Sequence, residues 1–183
     1  MLSGRRLNLL DPSPLDIEIE DIAHGLARVG RWNGQTSGDW AFSVAQHSLL
    51  VLDLFCHAGK QKSSRWQLAC LLHDAPEYVI GDMITPFKAI LDQRYRQIEE
   101  NLQQAVHIRF GLPASLPQNL HRQIKQADRQ AAWLEATQLA GFSETEARVI
   151  LRQPRQLPAF RLEAMPPSRA AEAFLQRFHQ LSP

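Results

Sequence analysis

The 183-residue sequence holds only two cysteines, Cys56 and Cys70, and they lack the C-x-x-C spacing of redox and zinc motifs. A disulfide scaffold is therefore excluded, and both thiols are expected to be free and buried in a reducing compartment. The apolar runs are only a few residues long, so neither a signal peptide nor a membrane span is expected. The cytoplasm is the predicted location.

Net charge is also small, because 20 Lys and Arg residues face 19 Asp and Glu residues and leave +1. Such a balance does not indicate a nucleic acid or an acidic membrane as a partner. The sequence contains no P-loop, no G-x-G-x-x-G fingerprint and no serine nucleophile elbow. Its 44% hydrophobic and 21% charged residues are typical of a globular chain, and its length predicts a single domain over residues 1–183.

Apolar residues recur at helical spacing and convincing strand alternation is absent, which predicts an all-α bundle of six or seven helices. The predicted helical segments are residues 17–29, 43–59, 63–75, 87–110 and 116–140, with further helices beginning at Ser143 and Ser168. Residues 77–84 are predicted to form a short turn or helix. The N-caps expected from residue type are Ser43, Ser63 or Ser64, Thr85 before Pro86, Ser143 in a capping box with Glu146, and Ser168.

His73 and Asp74 stand side by side in an otherwise apolar helical string, LACLLHDAPE. Placing an imidazole and a carboxylate there is costly unless a partner satisfies them, and a divalent metal would do so. Neutral imidazole and ionised carboxylate suit Mn, Fe, Co, Ni or Zn. The alternative interpretation is a locally hydrogen-bonded pair at a helix end.

Two residues on other helices complete a candidate ligand set. His47 lies on the apolar face of the second predicted helix, and Asp128 stands among small residues in IKQADRQAA. Taken separately, His47 fits a core histidine, and Asp128 fits an exposed acid paired with Lys125 or Arg129. Together with the His-Asp pair they offer two nitrogen and two oxygen ligands from three helices. This set predicts one divalent transition metal with positions left for water and substrate.

The arrangement of these histidines and aspartates resembles the HD-domain metal-dependent phosphohydrolase superfamily. The strings SVAQHS from Ser43 and LHDAPEYVIGD from Leu72 resemble the branch that contains the bacterial 5′-deoxynucleotidases, as do RW at Arg31 and TPFK at Thr85. The resemblance covers residues 17–140 and implies an HD-type helical bundle with the metal between helices. The connector and helix at 150–183 carry no motif.

The resemblance also implies a role for each matching residue. The metal ligands would be His47, His73, Asp74 and Asp128. Glu77 would act as the acid or base, and Asp82 would position the attacking water or assist proton transfer. Arg31 would hold the substrate phosphate, and Trp32 would pack near the sugar or base. The loop at 33–42 departs from that branch.

The function implied is removal of phosphate from nucleoside or deoxynucleoside 5′-monophosphates, which are small-molecule substrates. Two alternatives stay open: another HD hydrolysis, such as nucleotide pyrophosphohydrolysis or cleavage of a cyclic or alarmone phosphodiester, and a non-catalytic nucleotide or metal sensor. Glu77 argues against the sensor, because a binding protein needs no acid or base. A single metal is predicted, since His107 and His121 fit ordinary helix residues. Both a monomer and a homodimer remain open.

Overall fold

The computed structural model describes residues 1–59, 63–84, 90–91, 93–154 and 157–182. Within these ranges the chain forms eight α-helices, and its only β-pairing there is one antiparallel bridge between Gly30 and Ser43. The helices are α1 (Ile19–Leu26), α2 (Val44–His57), α3 (Ser64–Leu71), α4 (Glu77–Ile80), α5 (Gln93–Arg109), α6 (Gln118–Gln138), α7 (Glu144–Ile150) and α8 (Pro167–Leu181). The all-α prediction is confirmed. The described helices outnumber the predicted six or seven because the four-residue α4 is helical.

Helix α2 lies at the centre of the fold, where it packs against α6, α3 and α8. It is apolar on most of its circumference, and residues from both of its ends are buried. Ser43 caps it as predicted, with its side-chain oxygen accepting a hydrogen bond from the Gln46 amide over 3.3 Å. Because three helices surround α2, a polar side chain such as His47 is held in the interior.

Helix α3 ends earlier than the sequence pattern predicts. Its last residue is Leu71, and residues 72–76 form successive turns that lead into α4. Pro76 disfavours helical geometry at the residue before it, and the Ala75 amide bonds the Leu72 carbonyl over 3.1 Å. His73 and Asp74 therefore lie at the junction of α3 and α4, and their predicted place inside a helix is wrong.

The C-terminal helix α8 belongs to the same core as the motif-bearing segments. It packs against α1, α2 and α3, and it buries Phe174 and Phe178. Its first residue is Pro167 with Pro166 as the N-cap, so the cap predicted at Ser168 is displaced. Proline suits the first helical position because its missing N–H would have no partner there.

Two glutamine side chains hold the connector that precedes α8. Gln46 of α2 donates to the Glu163 carbonyl over 2.9 Å and accepts from the Met165 amide over 3.2 Å. Gln138 of α6 donates to the Phe160 carbonyl over 2.9 Å and accepts from the Leu162 amide over 3.0 Å. Each glutamine amide thus gives the connector one donor and one acceptor, as the peptide group of a paired β-strand would.

Other local predictions have mixed outcomes. The capping box of Ser143 and Glu146 is present at the start of α7. The cap at Thr85 and the start of the helix predicted from Phe87 lie outside the described residues, and that helix is described over Gln93–Arg109. Neither cysteine forms a disulfide within the described residues; Cys70 is buried, but Cys56 is exposed and its predicted burial is wrong. None of the described helices is both long enough and apolar enough to cross a membrane.

Candidate metal centre

His47 is fully buried in α2, and both nitrogens of its ring face acidic side chains. Nδ1 donates a hydrogen bond to Oε1 of Glu135 over 2.5 Å. Nε2 makes no hydrogen bond to the described residues and lies 3.4 Å from both Asp74 Oδ2 and Asp128 Oδ1. A buried ring nitrogen aimed at two carboxylates, with the other nitrogen held by an acceptor, is typical of a metal-ligating histidine.

His73 has the same arrangement at the α3–α4 junction. Its Nδ1 donates to the Cys70 carbonyl over 2.9 Å, which is a bond made possible by the end of α3. Its Nε2 is buried without a hydrogen bond to the described residues and lies 3.2 Å from Asp74 Oδ2. The two imidazole rings have centroids 5.4 Å apart. Both free ring nitrogens therefore point into one small space.

The two aspartates reach that space from different elements. Asp128 lies on α6 and forms a compact group with His47 and His73, in which one ligand atom from each residue is within 4.8 Å of the others. Its Oδ2 also accepts from Lys125 Nζ over 2.6 Å, as its alternative interpretation predicted. Asp74 adjoins this group through its oxygen shared between the two histidines. The structure thus brings all four predicted ligands together.

The donor set fits one divalent transition metal. Two imidazole nitrogens and two carboxylates form a mixed nitrogen and oxygen site that suits Mn, Fe, Co, Ni or Zn. The two buried Nε2 atoms, which form no hydrogen bond within the described part of the chain, are the observation that a cation would explain. His107 does not join the site, since its ring nitrogens lie 2.8 Å from Gln103 Nε2 and 3.2 Å from the Ala114 carbonyl oxygen.

The electrostatics of the cluster favour a bound cation. Burial raises the pKa of Asp74, but His73 and His47 outweigh it and hold that pKa well below its ordinary value. Burial also opposes ionisation of Asp128, and the neighbouring His47 lowers its pKa below the usual range. Burial and Arg31 lower the pKa of His47, yet Glu135 and the two aspartates raise it well above normal. The acidic neighbours of His47 therefore favour positive charge at this point of the site.

Arg31 lies beside the cluster and pairs with two carboxylates. Its Nε donates to Glu135 Oε2 over 3.2 Å and its Nη1 donates to Asp82 Oδ2 over 2.9 Å. Burial lowers the pKa of this guanidinium, but the neighbouring Glu135 and Asp82 outweigh burial and hold the pKa above its ordinary value. Arg31 therefore keeps its positive charge. The sequence predicted that Asp82 would position water, whereas the structure places its carboxylate on Arg31. That predicted role stays a prediction.

Trp32 follows Arg31 in a turn with an unusual backbone. Trp32 and Asn33 have φ values of 56° and 54°, in the left-handed region that side chains other than glycine rarely adopt. The indole Nε1 donates to Glu135 Oε2 over 2.9 Å, and the ring packs against Phe142 with centroids 5.6 Å apart. The turn is closed at its base by the Arg31 amide, which bonds the Phe42 carbonyl over 2.8 Å.

Glu77 is the first residue of α4 and is only 4% exposed. Its amide donates to the Asp74 carbonyl over 3.0 Å, which ties the start of α4 to the junction that carries the two predicted ligands. Its carboxylate is close enough to Arg31 to raise the pKa of the guanidinium. The predicted acid or base therefore adjoins the junction that carries two candidate metal ligands, and its charge acts on the candidate phosphate-binding arginine.

Glu135 is a central residue of the site that the sequence analysis missed. It is fully buried on α6, seven residues after Asp128, and therefore lies on the same helix face two turns away. Burial raises its pKa, but His47 and Arg31 lower it to about 2, so it is ionised. The available signal was a glutamate on the buried face of an amphipathic helix, where a charge needs a partner.

The all-helical fold and the cluster of histidines and aspartates define an HD-type helical protein. The chain belongs to the 5′-deoxynucleotidase YfbR-like family, whose model matches residues 22–180. An uncharacterized protein of Rhodobacter capsulatus is 57% identical over 183 residues, with 99% of this chain and 93% of the relative covered. The family match includes α8, which carried no motif. At the family level it supports a phosphohydrolase of the 5′-deoxynucleotidase type.

Proposed function

We propose that the protein is a metal-dependent phosphomonoesterase that removes the phosphate from nucleoside or deoxynucleoside 5′-monophosphates. The observation that carries this proposal is the pair of buried Nε2 atoms on His47 and His73, which face two carboxylates beside the charged Arg31. Membership of the 5′-deoxynucleotidase YfbR-like family supports the same reaction class. His47, His73, Asp74 and Asp128 would hold one divalent metal, which supplies a Lewis acid for the phosphate and a more acidic bound water.

Arg31 is the residue that would bind the phosphate. Glu135 and Asp82 occupy its Nε and Nη1, which fixes the plane of the guanidinium and leaves Nη2 for a phosphate oxygen. Its side chain is 14% exposed, and a phosphate would approach the guanidinium from that exposed side. A planar guanidinium in a fixed orientation suits a phosphate group better than a flexible ammonium would.

Glu77 would transfer protons during the reaction. Cleavage of a phosphomonoester needs a proton taken from the attacking water and a proton given to the leaving sugar oxygen. Glu77 adjoins the Asp74 junction, its charge acts on Arg31, and burial shields its carboxylate from bulk water. Asp82 would act on the same reaction by holding Arg31. Trp32 would pack against the sugar or base of a nucleotide whose phosphate is bound by Arg31.

The test combines metal binding with a substrate panel. Wild-type protein and Asp74→Ala are titrated with Mn²⁺ and Co²⁺, and phosphate release is measured from 5′-deoxynucleotides, 5′-ribonucleotides, 3′-nucleotides and p-nitrophenyl phosphate. We expect 5′-monophosphates to be the best substrates, and Asp74→Ala to lose both metal and activity. Asp53→Ala is the matched control, because Asp53 is on the outer side of α2 and pairs with Arg177.

Four results would contradict the proposal or part of it. Full metal occupancy in Asp74→Ala would remove that residue from the ligand set. Equal rates on every phosphate ester would reject a nucleotide substrate while leaving the metal site intact. Cleavage of cyclic nucleotides or of nucleoside triphosphates without release from monophosphates would favour the other HD hydrolyses. Tight binding of nucleotide with no turnover would favour a sensor.

A further inference from the structure

Three parts of the candidate site converge on one carboxylate. Oε1 of Glu135 accepts from Nδ1 of His47, and Oε2 accepts from both Nε of Arg31 and Nε1 of Trp32. The glutamate side chain has no exposed surface, so these three donors are its environment instead of water. One residue thus contacts a candidate metal ligand, the candidate phosphate-binding arginine and the turn that presents that arginine.

We propose that Glu135 is a positioning residue that orients His47 toward the metal and Arg31 toward the phosphate, so that the two halves of the site are set by one group. This inference rests on the proposed function. Glu135 is expected to touch neither substrate nor metal. It acts on the reaction through the two side chains that do.

The geometry of α6 explains how one helix serves both halves. Asp128 and Glu135 are seven residues apart and so lie about 10 Å apart along the same face. The imidazole of His47 spans the space between them, with Nε2 toward Asp128 and Nδ1 bonded to Glu135. Rotation of the ring would break the bond to Glu135. The carboxylate therefore keeps Nε2 as the nitrogen that faces the metal ligands.

Only a carboxylate of this length meets the requirement. Among the described residues, the three groups that contact the Glu135 carboxylate are all N–H donors, so both oxygens must accept. A glutamine would turn its amide N–H₂ toward either His47 or the Arg31 and Trp32 pair, where donor would meet donor. An aspartate would keep the charge but is shorter by one C–C bond, about 1.5 Å, and could reach only one side.

The left-handed backbone of Trp32 gives independent support. A non-glycine residue in this region is strained by about 1–3 kcal/mol and persists only when its surroundings hold it. The contacts that hold it are the indole bond to Glu135 and the Arg31 amide bond to Phe42. The strain is thus located at the residue next to the arginine that Glu135 orients.

The experiment titrates Co²⁺ alone into metal-free wild type, Glu135→Gln and Glu135→Asp. We expect Glu135→Gln to bind Co²⁺ about 10–100-fold more weakly and to change its d–d absorption spectrum, as mutation of groups behind a ligand usually does. Glu135→Asp should bind Co²⁺ with an affinity between those of wild type and Glu135→Gln. Glu172→Gln makes the same chemical change at an exposed position of α8 and should match wild type.

The claim that Glu135 orients Arg31 is tested by measuring the binding of inorganic phosphate to the Co²⁺-saturated proteins. Phosphate should bind several-fold more weakly to Glu135→Gln than to Glu172→Gln, and KM for a nucleotide should rise together with a fall in kcat. A purely structural role would lower the melting temperature but leave the Co²⁺ affinity and spectrum of the folded variant unchanged. That result would overturn the proposal, as would unaltered phosphate binding.

Two further outcomes are informative. If wild type itself binds no Co²⁺, the proposed function fails together with this inference, whereas equal affinity in wild type and folded variant defeats the inference alone. If both variants fail to fold, the ¹H–¹⁵N spectrum of Zn²⁺-loaded wild type decides. A slowly exchanging proton on His47 Nδ1 supports the proposal, and an unprotonated Nδ1 overturns it.

Discussion

Replacement of Arg31 by methionine should lower the stability of the protein as well as its activity, because two acidic side chains enclose the arginine. The change keeps the apolar stem but removes the charge that Glu135 and Asp82 share, and these side chains are 0% and 11% exposed. Removal of one member of a buried ion pair costs about 3–5 kcal/mol, since the partner remains buried without compensation. The lower end, about 3 kcal/mol, applies here because Glu135 keeps His47 and Trp32 as donors.

Thermal unfolding followed by circular dichroism measures this effect. In a chain of this size 1 kcal/mol shifts Tm by about 2–4 °C, so Arg31→Met should melt about 6–12 °C below wild type. Arg5→Met is the matched control, because the Arg5 pair with Glu18 lies at the surface and contributes little. Addition of Asp82→Asn to Arg31→Met should restore part of the loss, since it neutralises one stranded acid. An Arg31→Met protein with the same Tm as wild type would refute the reasoning.

Three other predictions concern Glu77, the buried Glu135 and the two glutamines that hold the connector. Glu77→Gln should keep its metal but lose on the order of 10²–10⁴ in kcat, and near-normal turnover would remove Glu77 from the chemistry. The metal-free protein should lose stability as pH falls from about 4.5 toward 2, because the pKa of Glu135 is about 2 when folded and the unfolded chain takes up the proton first. Urea midpoints measured against pH should show a shallower dependence in Glu135→Gln. Gln46→Leu should cost about 2 kcal/mol, about 1 kcal/mol for each hydrogen bond to the connector. Gln138→Leu should cost less because water replaces its exposed bonds, and equal losses would contradict this.

Local signals predicted most of the helices correctly. Ser43 and the Ser143–Glu146 box mark helix starts because a side-chain oxygen can satisfy the free backbone N–H groups there, whatever the rest of the chain does. The end of α3 was predicted too late, because the apolar period continues through Leu72. The turn at His73 is favoured by the histidine bond to the Cys70 carbonyl and by Pro76. These are interactions that hydrophobic periodicity does not report.

The site was predictable in its residue types and not in its pairings. Histidine and aspartate in an apolar context predict a cation site because few other groups satisfy them, and the structure does bring the four predicted ligands together. The partners of Arg31 lie 51 and 104 positions away along the chain. Their pairing depends on how α4 packs against α1 and how α6 packs against α2, and no local pattern encodes that placement.

The turn of Arg31 and Trp32 shows where local preference gives way to tertiary structure. Asn33 and Gly34 suit a left-handed turn, but tryptophan at the first left-handed position does not. A tryptophan is retained there because its indole bonds the buried Glu135 and its ring packs on Phe142. The hydrogen bond that favours the strained backbone therefore comes from the helix that carries Asp128, and the ring contact comes from Phe142 just beyond the end of that helix. A change in the position of α6 would move the predicted metal ligand and the predicted phosphate-binding arginine together.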